Sequence, residues 1–538
     1  MFDRIDIKDF RALKNQSIVL GSNITVISGR NSTGKSTILG MLGNSGELKK
    51  SIAATYWGTQ FRSEFSEIFK GSEKHDFSGS DKFSIYVSQN GTETSDYRHF
   101  RTTWQSIKNG KRFRIIPYRI DEEMKTNAKL ELPIIYLGLS RLFPIGEAKG
   151  EGIKKNTTKF KSEEHRQWFV NAYKEILSLP FDNITDISNY TISESNKKHG
   201  VGINTEKYDF LTNSAGQDNL GQILLSMLSF RHLKESGTLE NFQGLLLIDE
   251  IDSTLHPSAQ NRLLDFMIKE SKANGYQIVF TTHSTSLLKY ISLKTEYNKD
   301  ARNPIELYYL TNANRNLEIK RNINYHEIEF DLMVQSMVQN PYKIKMYSED
   351  EENRWFVRSL LSEYTPYIEL LDVAIGCNSL LTLFKGDPAY FGNMLLSFDG
   401  DVKDSEIDKI ISKPLRESAN NIVKLPGEIR PEQIIYEYLC NLPAEHPYLS
   451  RTSSIGFSLL YFAENGPTSS KYRRHSKERD KYKAWFKDHE ALFDSTDLMS
   501  FWMNDNQELV NEYVERFVVS YNSIAKRTFA KPISIQSH

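Results

Sequence analysis

One short segment near the amino terminus restricts the fold of this chain more than any other. Residues 23–28, Asn-Ile-Thr-Val-Ile-Ser, are predicted as a strand and lead directly into Gly-Arg-Asn-Ser-Thr-Gly-Lys-Ser at 29–36. The glycines let backbone N–H groups curve around an anion, and a helix starting at Lys35 adds the partial positive charge of its N-terminus. A glycine turn that matches by chance would need neither the strand nor the helix. The segment therefore predicts an α/β domain whose phosphate-binding loop consists of Gly29, Arg30, Asn31, Ser32, Thr33, Gly34, Lys35, Ser36 and Thr37.

An apolar run that ends in two acids forms the second candidate motif. Residues 244–248 read Gly-Leu-Leu-Leu-Ile and are followed by Asp249 and Glu250. By itself this run also fits a strand end with a solvated acidic turn. In the functional interpretation, Asp249 binds a metal ion together with the Ser36 hydroxyl, and Glu250 acts on an attacking water.

Two later features favour the functional interpretation of this acidic pair. Asp252-Ser253 lies where a dimer-contact loop belongs. The next strand ends in Thr281-Thr282-His283, where a histidine can reach a terminal phosphate, although a lone histidine is more often structural. We therefore predict Glu250 and His283 as catalytic residues.

A further candidate anion site precedes a predicted helix. Ser214, Gly216 and Gln217 open a helix predicted over 217–234. Small residues before a helix leave backbone N–H groups free for an anion. The alternative is a simple N-cap, in which the Ser214 side chain only closes the helix end.

Together these motifs resemble the ABC ATPase superfamily over about residues 1–320, with a likeness to its RecF/OLD branch. Ser214-Ala-Gly216-Gln217 looks like the signature motif of that family. The resemblance implies ATP and Mg²⁺ as cofactors and a head-to-tail homodimer, in which the signature of one copy closes over the ATP of the other. Gln89 is one candidate for the glutamine loop.

The second half of the chain carries acids at two predicted strand ends. Glu349 follows the strand 343–348, and Asp399-Gly-Asp401 follows a strand near 394–399. This layout resembles a Toprim domain, which implies a second Mg²⁺ site at Glu349, Asp399 and Asp401. Asp350 stands where that family usually has glycine, and a turn plus an acidic helix start would also explain the pattern.

The whole chain resembles the PtuA ATPases of Septu and retron anti-phage systems. Segments 29–48, 65–71 and 136–143 carry this likeness. It implies an HNH nuclease partner (PtuB), with a reverse transcriptase and multicopy single-stranded DNA as further candidates. Two alternatives remain: a self-sufficient OLD-like ATPase–Toprim endonuclease dependent on Mg²⁺, and a RecF-like DNA-repair ATPase.

Breaks in the pattern predict four regions. They are an ATPase head at 1–320 with its helical and signature part at about 150–235, a linker at 321–342, a Toprim-like domain at 343–465 and a helical region at 466–538. Strand-like runs within 83–120, with turn signals at Asn90-Gly91 and Asn109-Gly110, predict antiparallel β-structure in the head.

Composition restricts the cellular compartment and the kinds of partner that the chain can have. The formal net charge is −1, so any nucleic-acid surface must be local, and the basic stretch 471–487 is either such a patch or a solvated helix face. Two cysteines favour a reducing compartment, and no apolar run approaches the length of a membrane helix. We expect a cytoplasmic protein without a membrane partner.

Overall fold

The computed structural model divides the chain into two compact units, Met1–Met333 and Val334–His538. It describes residues 1–89, 93–108, 110–121, 125–149, 152–179, 183–192, 195–239, 243–294, 303–334, 343–528 and 530–535. The turn signals at Asn90-Gly91 and Asn109, and residues 335–342 of the expected linker, lie outside these ranges. Residues 321–333, assigned to that linker from sequence, belong to the first unit.

The first unit is an α/β structure. Its strands are β1 (Phe2–Phe10), β2 (Leu13–Val19), β3 (Ile24–Gly29), β4 (Glu47–Leu48), β5 (Phe61–Arg62), β6 (Gly79–Gln89), β7 (Glu93–Ile107), β8 (Gly110–Ile120), β9 (Lys125–Thr126), β10 (Ile134–Leu137), β11 (Ile153–Thr157), β12 (Ile184–Ile192), β13 (Ser195–Thr205), β14 (Gly244–Ile248), β15 (Tyr276–Thr282), β16 (Ile305–Thr311) and β17 (Glu318–Arg321). Its helices are α1 (Lys35–Gly43), α2 (Phe65–Ile68), α3 (Glu163–Leu177), α4 (Ala215–Glu235), α5 (Pro257–Asn274), α6 (Thr285–Lys294) and α7 (Tyr325–Met333).

An antiparallel sheet with the order β2-β1-β6-β7-β8-β9 forms one layer. The alternation that predicts β1 is visible in its packing, since Ile5 and Ile7 are buried and Ile5 pairs with Ile85 on β6. β6, β7 and β8 pair antiparallel, which confirms the prediction for 83–120.

A mixed sheet with the order β10-β14-β15-β3-β16-β17 forms the second layer, and its strands are parallel except for β17. All residues of β3, β14 and β15 are buried, as their apolar runs predict for strands covered on both faces. Because these strands are parallel, their carboxyl ends meet at one edge of the sheet. β15 lies between β14 and β3 at that edge.

The helix α4 packs against a smaller antiparallel sheet, β11-β12-β13. It begins at Ala215, two residues earlier than predicted, and most of its residues are buried. α4 therefore joins the region of the signature-like motif to the interior of the unit.

The second unit contains a parallel sheet with the order β19-β18-β20-β21. Its strands are β18 (Ile344–Ser348), β19 (Ile368–Ala374), β20 (Leu395–Phe398) and β21 (Ile422–Lys424). Its helices are α8 (Glu351–Leu360), α9 (Cys377–Gly386), α10 (Pro388–Phe391), α11 (Asp404–Ile410), α12 (Lys413–Ala419), α13 (Pro431–Cys440), α14 (Pro447–Thr452), α15 (Leu459–Glu464), α16 (Glu478–Ser495), α17 (Leu498–Asp505) and α18 (Gln507–Thr528).

The helices α16–α18 share one hydrophobic core with this sheet. Trp485 and Phe517 from the helices are buried in the same cluster as Met346 of β18. Residues 466–528 are thus an integral part of the second unit. Cys377 and Cys440 are both free. Throughout the described ranges, no helix combines the length and the apolar character that crossing a membrane requires.

Candidate functional site

The phosphate-binding loop requires glycine at its first position. Gly29 has a φ of 139°, and a Cβ there would lie 2.0 Å from the carbonyl oxygen of Leu310 on β16. The backbone N–H of Arg30 donates to the same oxygen at 3.1 Å, which fixes the start of the loop against the sheet. Any larger residue at position 29 would displace one of these strands.

The loop and the ends of β14 and β15 surround a cavity of about 270 Å³. Most of the residues that the sequence assigns to the ATP site are brought together here. The lining consists of Asn31, Ser32, Thr33, Gly34, Lys35, Ser36, Thr37, Asp249, Glu250 and His283.

Lys35 is buried at the floor of this cavity. Its ammonium group donates to two carbonyl oxygens of its own loop, at 3.0 Å to Gly29 and 2.7 Å to Arg30. Burial lowers the pKa of Lys35 to about 8, against the opposing effect of Asp249 and Glu250. The cation is therefore held in place but is easily deprotonated.

Asp249 is fixed by hydroxyl groups on both of its carboxylate oxygens. Thr281 Oγ1 donates to Oδ1 at 2.6 Å, and Ser36 Oγ donates to Oδ2 at 2.9 Å. Burial and the charge of Asp249 raise the pKa of the neighbouring Tyr136. The side-chain oxygens of Ser36 and Asp249 lie next to each other. Mg²⁺ prefers such oxygen ligands.

Glu250 has an unusual backbone conformation that the surrounding residues hold in place. Its φ of 48° lies in the left-handed region, which costs a non-glycine residue about 1–2 kcal/mol. Its N–H donates to Thr281 Oγ1 at 2.7 Å, and Ser253 Oγ donates to its carboxylate at 3.2 Å. The carboxylate is thereby directed into the cavity and held at one position.

His283 is connected to the loop that follows Glu250. Its backbone N–H donates to Asp252 Oδ1 at 3.3 Å. Burial and the positive charge of Lys35 lower the pKa of His283, so its ring is neutral at neutral pH.

Sequence reasoning missed Arg141, a buried residue that links three motifs. Its guanidinium donates to the carbonyl oxygen of Glu250 at 2.9 Å, to Asn219 Oδ1 on α4 at 2.8 Å and to Gly138 O at 3.0 Å. Asn219 in turn donates to Ser253 O at 2.9 Å. Arg141 lies within 136–143, a stretch singled out only for its family resemblance, so no local signal marks this role.

A second cavity, of about 520 Å³, shares Ser36 and Asp249 with the first. Tyr136, Arg141 and Trp57 are among its other lining residues. The side chains of Ser36 and Asp249 are therefore accessible from both cavities.

The start of α4 is a capping box. Ser214 Oγ accepts from Gln217 N at 3.2 Å, and Gln217 Oε1 accepts from Ser214 N at 2.8 Å. Gly216 is needed for a close approach, since a Cβ there would lie 2.5 Å from the carbonyl oxygen of Thr254. Ser214 is exposed and is not among the residues lining the cavity. The side chain of Gln89 lies outside the described residues.

The phosphate-binding loop is also attached to the last helix of the first unit. Arg30 Nε lies 3.2 Å from Asp331 Oδ2 on α7, and its NH2 donates to Asp331 O at 2.5 Å. Tyr309 Oη donates to the same carboxylate at 2.6 Å. Arg30 thus points away from the cavity lining and holds α7.

In the second unit, Glu349, Asp399 and Asp401 lie at the carboxyl edge of the parallel sheet. A fourth acid, Glu432, lies near them. Asp399 is 2% exposed and accepts from Asn353 Nδ2 at 2.8 Å. Burial and the charges of Asp350 and Glu349 raise the pKa of Asp399 to about 8. Asp401 lies 3.2 Å from Arg430, in an ion pair near the surface.

Glu432 is the acid that the sequence did not assign to this cluster. Burial raises its pKa to about 7, and burial also raises the pKa of Glu349. Both carboxylate oxygens of Glu432 and Oε2 of Glu349 are buried, and the described part of the chain offers none of them a hydrogen bond. Within the described residues, however, no three acids of this cluster come close enough together to hold one ion.

Part of the basic stretch 471–487 neutralises this acidic region. Lys483 pairs with Asp350 and lies 2.9 Å from Glu352, and Arg479 lies 3.4 Å from Asp350. Asp350 also caps α8 by accepting from Asn353 N at 3.0 Å. Asp350, at the position where glycine is expected, is thus stabilised by capping α8 and by pairing with Lys483.

The phosphate-binding loop and the ends of β14 and β15 around one cavity resemble the arrangement of an ABC-type P-loop ATPase head. The family model described as "AAA domain, putative AbiEii toxin, Type IV TA system" matches residues 45–289. The match begins after the phosphate-binding loop and includes Asp249, Glu250 and His283. No curated protein matches the sequence.

Solved structures of similar fold have low sequence identity. The SMC head domain from Thermotoga maritima is 15% identical at a TM-score of 0.31, over 59% of this chain and 98% of that one. The Smc head domain from Pyrococcus furiosus, bound to the C-terminal domain of ScpA, is 11% identical at 0.30, over 62% and 98%. The recombination mediator RecF is 12% identical at 0.26, over 58% and 95%. These identities and TM-scores are too low to assign a function to the chain.

Proposed function

We propose that the first unit binds ATP with Mg²⁺ and hydrolyses it between two copies of the chain. The observation that carries this proposal is the single cavity formed by the phosphate-binding loop, Asp249, Glu250 and His283. Lys35 would exchange its two loop carbonyls for phosphate oxygens. Ser36 and Asp249 would hold Mg²⁺, which supplies neutralising charge at the phosphates when it is bound.

Glu250 is the proposed general base of this reaction. Ser253 and the backbone bond to Thr281 keep its carboxylate in one orientation, where it can accept a proton from a water beside the terminal phosphate. The neutral His283 ring can donate a hydrogen bond to that phosphate.

The proposed dimer is head-to-tail. Ser214 is exposed at the start of α4 and does not line the cavity of its own chain. Opening of its capping box with Gln217 would free this helix end for the nucleotide of another copy. Gly216 contacts the Thr254 backbone, which places the same helix end beside the Asp252-Ser253 loop.

The test is the Glu250→Gln variant. It retains the metal-binding oxygens and the cavity but lacks the base, so ATP turnover should fall by about 100-fold or more while ATP still binds. Size-exclusion chromatography with ATP should then show a stable dimer. Lys35→Ala, which removes the phosphate-binding cation, should abolish both nucleotide binding and the dimer. A monomeric Glu250→Gln chain with bound ATP would contradict the proposed arrangement.

For the biological role, we propose a PtuA-like subunit of an anti-phage complex. ATP binding would control an HNH nuclease partner, with a reverse transcriptase and multicopy single-stranded DNA as further members. The likeness of segments 29–48, 65–71 and 136–143 supports this role, and the description of the matching family names an AbiEii toxin. A cytoplasmic setting fits this role.

The acid cluster of the second unit favours one alternative, an OLD-like ATPase–Toprim endonuclease. Glu349 and Glu432 have buried carboxylate oxygens without hydrogen bonds in the described part of the structure, and Asp399 and Asp401 act on the charge of Glu349 or lie beside it. These acids would have to move closer together to hold one Mg²⁺ ion. The second unit would then be a Toprim-like nuclease. A RecF-like repair ATPase is the third candidate, and it requires neither a nuclease partner nor these acids.

One assay separates these roles. The purified chain is incubated with DNA or tRNA, ATP and Mg²⁺, with and without an HNH partner. Cleavage by the chain alone that is lost in Asp399→Ala supports the endonuclease, and cleavage only with the partner supports the PtuA-like role. ATP-dependent DNA binding without cleavage in either case supports the repair ATPase.

A further inference from the structure

A cluster of metal-ligating side chains lies away from the ATP cavity, where α3 meets the end of α4. It consists of His165 on α3 with His232 and Glu235 in the last turn of α4. One ligand atom from each of the three lies within 4.8 Å of the others. His165 is buried, whereas Glu235 is exposed, so an ion could enter from solvent.

The ring of His165 is oriented by its neighbours. Tyr56 Oη contacts Nδ1, and the same oxygen accepts from Lys161 N at 3.3 Å. This contact directs Nε2 toward α4, where it lies 2.6 Å from Glu235 Oε2. A histidine whose second nitrogen is held in this way is the usual arrangement of a metal ligand.

His232 provides a donor that is otherwise unused. It precedes Glu235 by three residues, so the two side chains lie on one face of α4. Its ring packs at 5.6 Å from that of His165 and 5.9 Å from that of Tyr56, both edge-on. Within the described ranges the ring makes no hydrogen bond. A free imidazole nitrogen therefore faces the point where His165 and Glu235 already meet.

We propose that His165, His232 and Glu235 bind Zn²⁺, with water as the fourth ligand. Two imidazole nitrogens and one carboxylate oxygen are an established donor set for this ion. Zn²⁺ would replace the hydrogen bond between His165 and Glu235, because its ligands lie about 2.0–2.2 Å from the metal and so more than 3 Å apart. Arg231 Nε, at 2.9 Å from Glu235 Oε1, keeps the carboxylate oriented.

The local charge predicts moderate affinity. Arg231 and Lys161 are positive, and they are offset by Glu235 and by Glu164, which lies 3.6 Å from Arg231. The ion therefore enters a region without excess negative charge, and we expect a micromolar dissociation constant. The site would join α3 and the segment around Tyr56 to α4, whose opposite end, about 30 Å away, carries Ser214.

The test is zinc binding to the full chain after removal of metals with EDTA. Isothermal titration with Zn²⁺ in excess Mg²⁺, which occupies the oxygen-only sites, should give one micromolar site per chain and a rise in melting temperature. Co²⁺ in its place should give the visible absorption of a tetrahedral site.

Variants assign the site to these residues. His232→Ala and the surface variant Glu235→Gln should each weaken Zn²⁺ binding at least tenfold, and Tyr56→Phe should weaken it by about tenfold through the orientation of His165. His75→Ala, which removes an exposed histidine of the same unit, should leave binding unchanged. Absence of micromolar binding by the unaltered chain, or unchanged binding in folded Glu235→Gln and His232→Ala, would overturn the proposal.

Discussion

The buried Lys35 differs from an exposed lysine in two ways: its ammonium group is fixed in position, and it loses its proton at a lower pH. Both follow from burial beside its own loop carbonyls. An anion in the cavity favours the ammonium form and raises the pKa again. Above a pH of about 8, anion binding at this loop must therefore be accompanied by the uptake of a proton.

This linkage predicts that ATP affinity falls as the pH rises above 8. Between pH 7.5 and 9 the dissociation constant at fixed Mg²⁺ should increase about five- to tenfold, because the free protein loses the Lys35 proton over this range. Isothermal titration calorimetry measures it directly. Lys35→Arg, which stays charged, is the control and should show a smaller pH effect whatever its absolute affinity. Equal affinities of the unaltered chain at the two pH values would contradict the lysine assignment.

At the scale of elements, α4 and the loop after β14 are joined by buried polar bonds. Arg141 bridges Glu250 O and Asn219, and Lys198 pairs with Asp218 of α4 while donating to Arg141 O at 3.0 Å. Burial lowers the pKa of Arg141, yet a guanidinium remains charged at neutral pH. The first turns of α4 and the backbone of the proposed base are thus held in one arrangement.

Arg141→Lys should separate catalysis from binding. Lysine keeps the charge but cannot reach Glu250, Asn219 and Gly138 together, so ATP turnover should fall about 10- to 100-fold. ATP affinity should change less than about threefold, because Arg141 does not line the phosphate cavity. Steady-state kinetics and nucleotide titration measure the two effects.

The matched control is Arg262→Lys. Arg262 donates to Ile176 O at 2.9 Å, away from the cavity, and its replacement should leave turnover unchanged. Loss of ATP binding together with turnover in folded Arg141→Lys, or no loss of either, would argue against a positioning role.

At the scale of the whole molecule, the two units place their buried charge differently. The first unit surrounds Asp249 with hydroxyl donors, whereas the second keeps Asp399, Glu349 and Glu432 with few partners. Raised carboxyl pKa values in the second unit mean that its folded state holds protons that its unfolded state releases. The stability of the second unit should therefore decrease as the pH rises from about 4 to 8 in the absence of divalent metal.

Asp399→Asn should remove much of this dependence. The folded pKa of Asp399 is about 8, against about 4 in an unfolded chain, so the wild-type carboxyl favours folding at pH 4 and opposes it progressively toward pH 8. At pH 8 without metal the variant should be more stable by up to about 5 kcal/mol, since each pKa unit corresponds to about 1.4 kcal/mol, and near pH 4 the two should agree. Chemical denaturation at both pH values tests this.

Asp401→Asn serves as the control for that measurement. Its carboxylate is paired with Arg430 near the surface, so the variant should keep the wild-type pH dependence. If Asp399→Asn instead lost stability at pH 8, the Asp399 carboxylate of the unaltered chain would have to be ionised in the folded state.

The sequence predicts the parts of this molecule in which function depends on neighbours along the chain. The phosphate-binding loop, the Asp249–Glu250 strand end and the start of α4 each fall within a few residues of their predicted positions, because backbone geometry alone specifies them. The sheet that brings them together follows from the apolar runs of β3, β14 and β15.

Residues that act through distant contacts could not be found in this way. Arg141 and Asn219 are far apart in sequence, and only the packing of α4 makes them partners. Glu432 and Lys483 enter the acidic region of the second unit from α13 and α16, which no motif connects to Glu349. Their roles depend on burial, which a single sequence does not reveal.

The contact between Arg30 and Asp331 links the phosphate-binding loop directly to the last helix of the first unit. Asp331 lies two residues before Met333, where the first unit ends. A displacement of Arg30 when phosphates enter the cavity would change the support of α7 at its final turn. Occupancy of the cavity would in this way reach the last helix of the first unit through one ion pair.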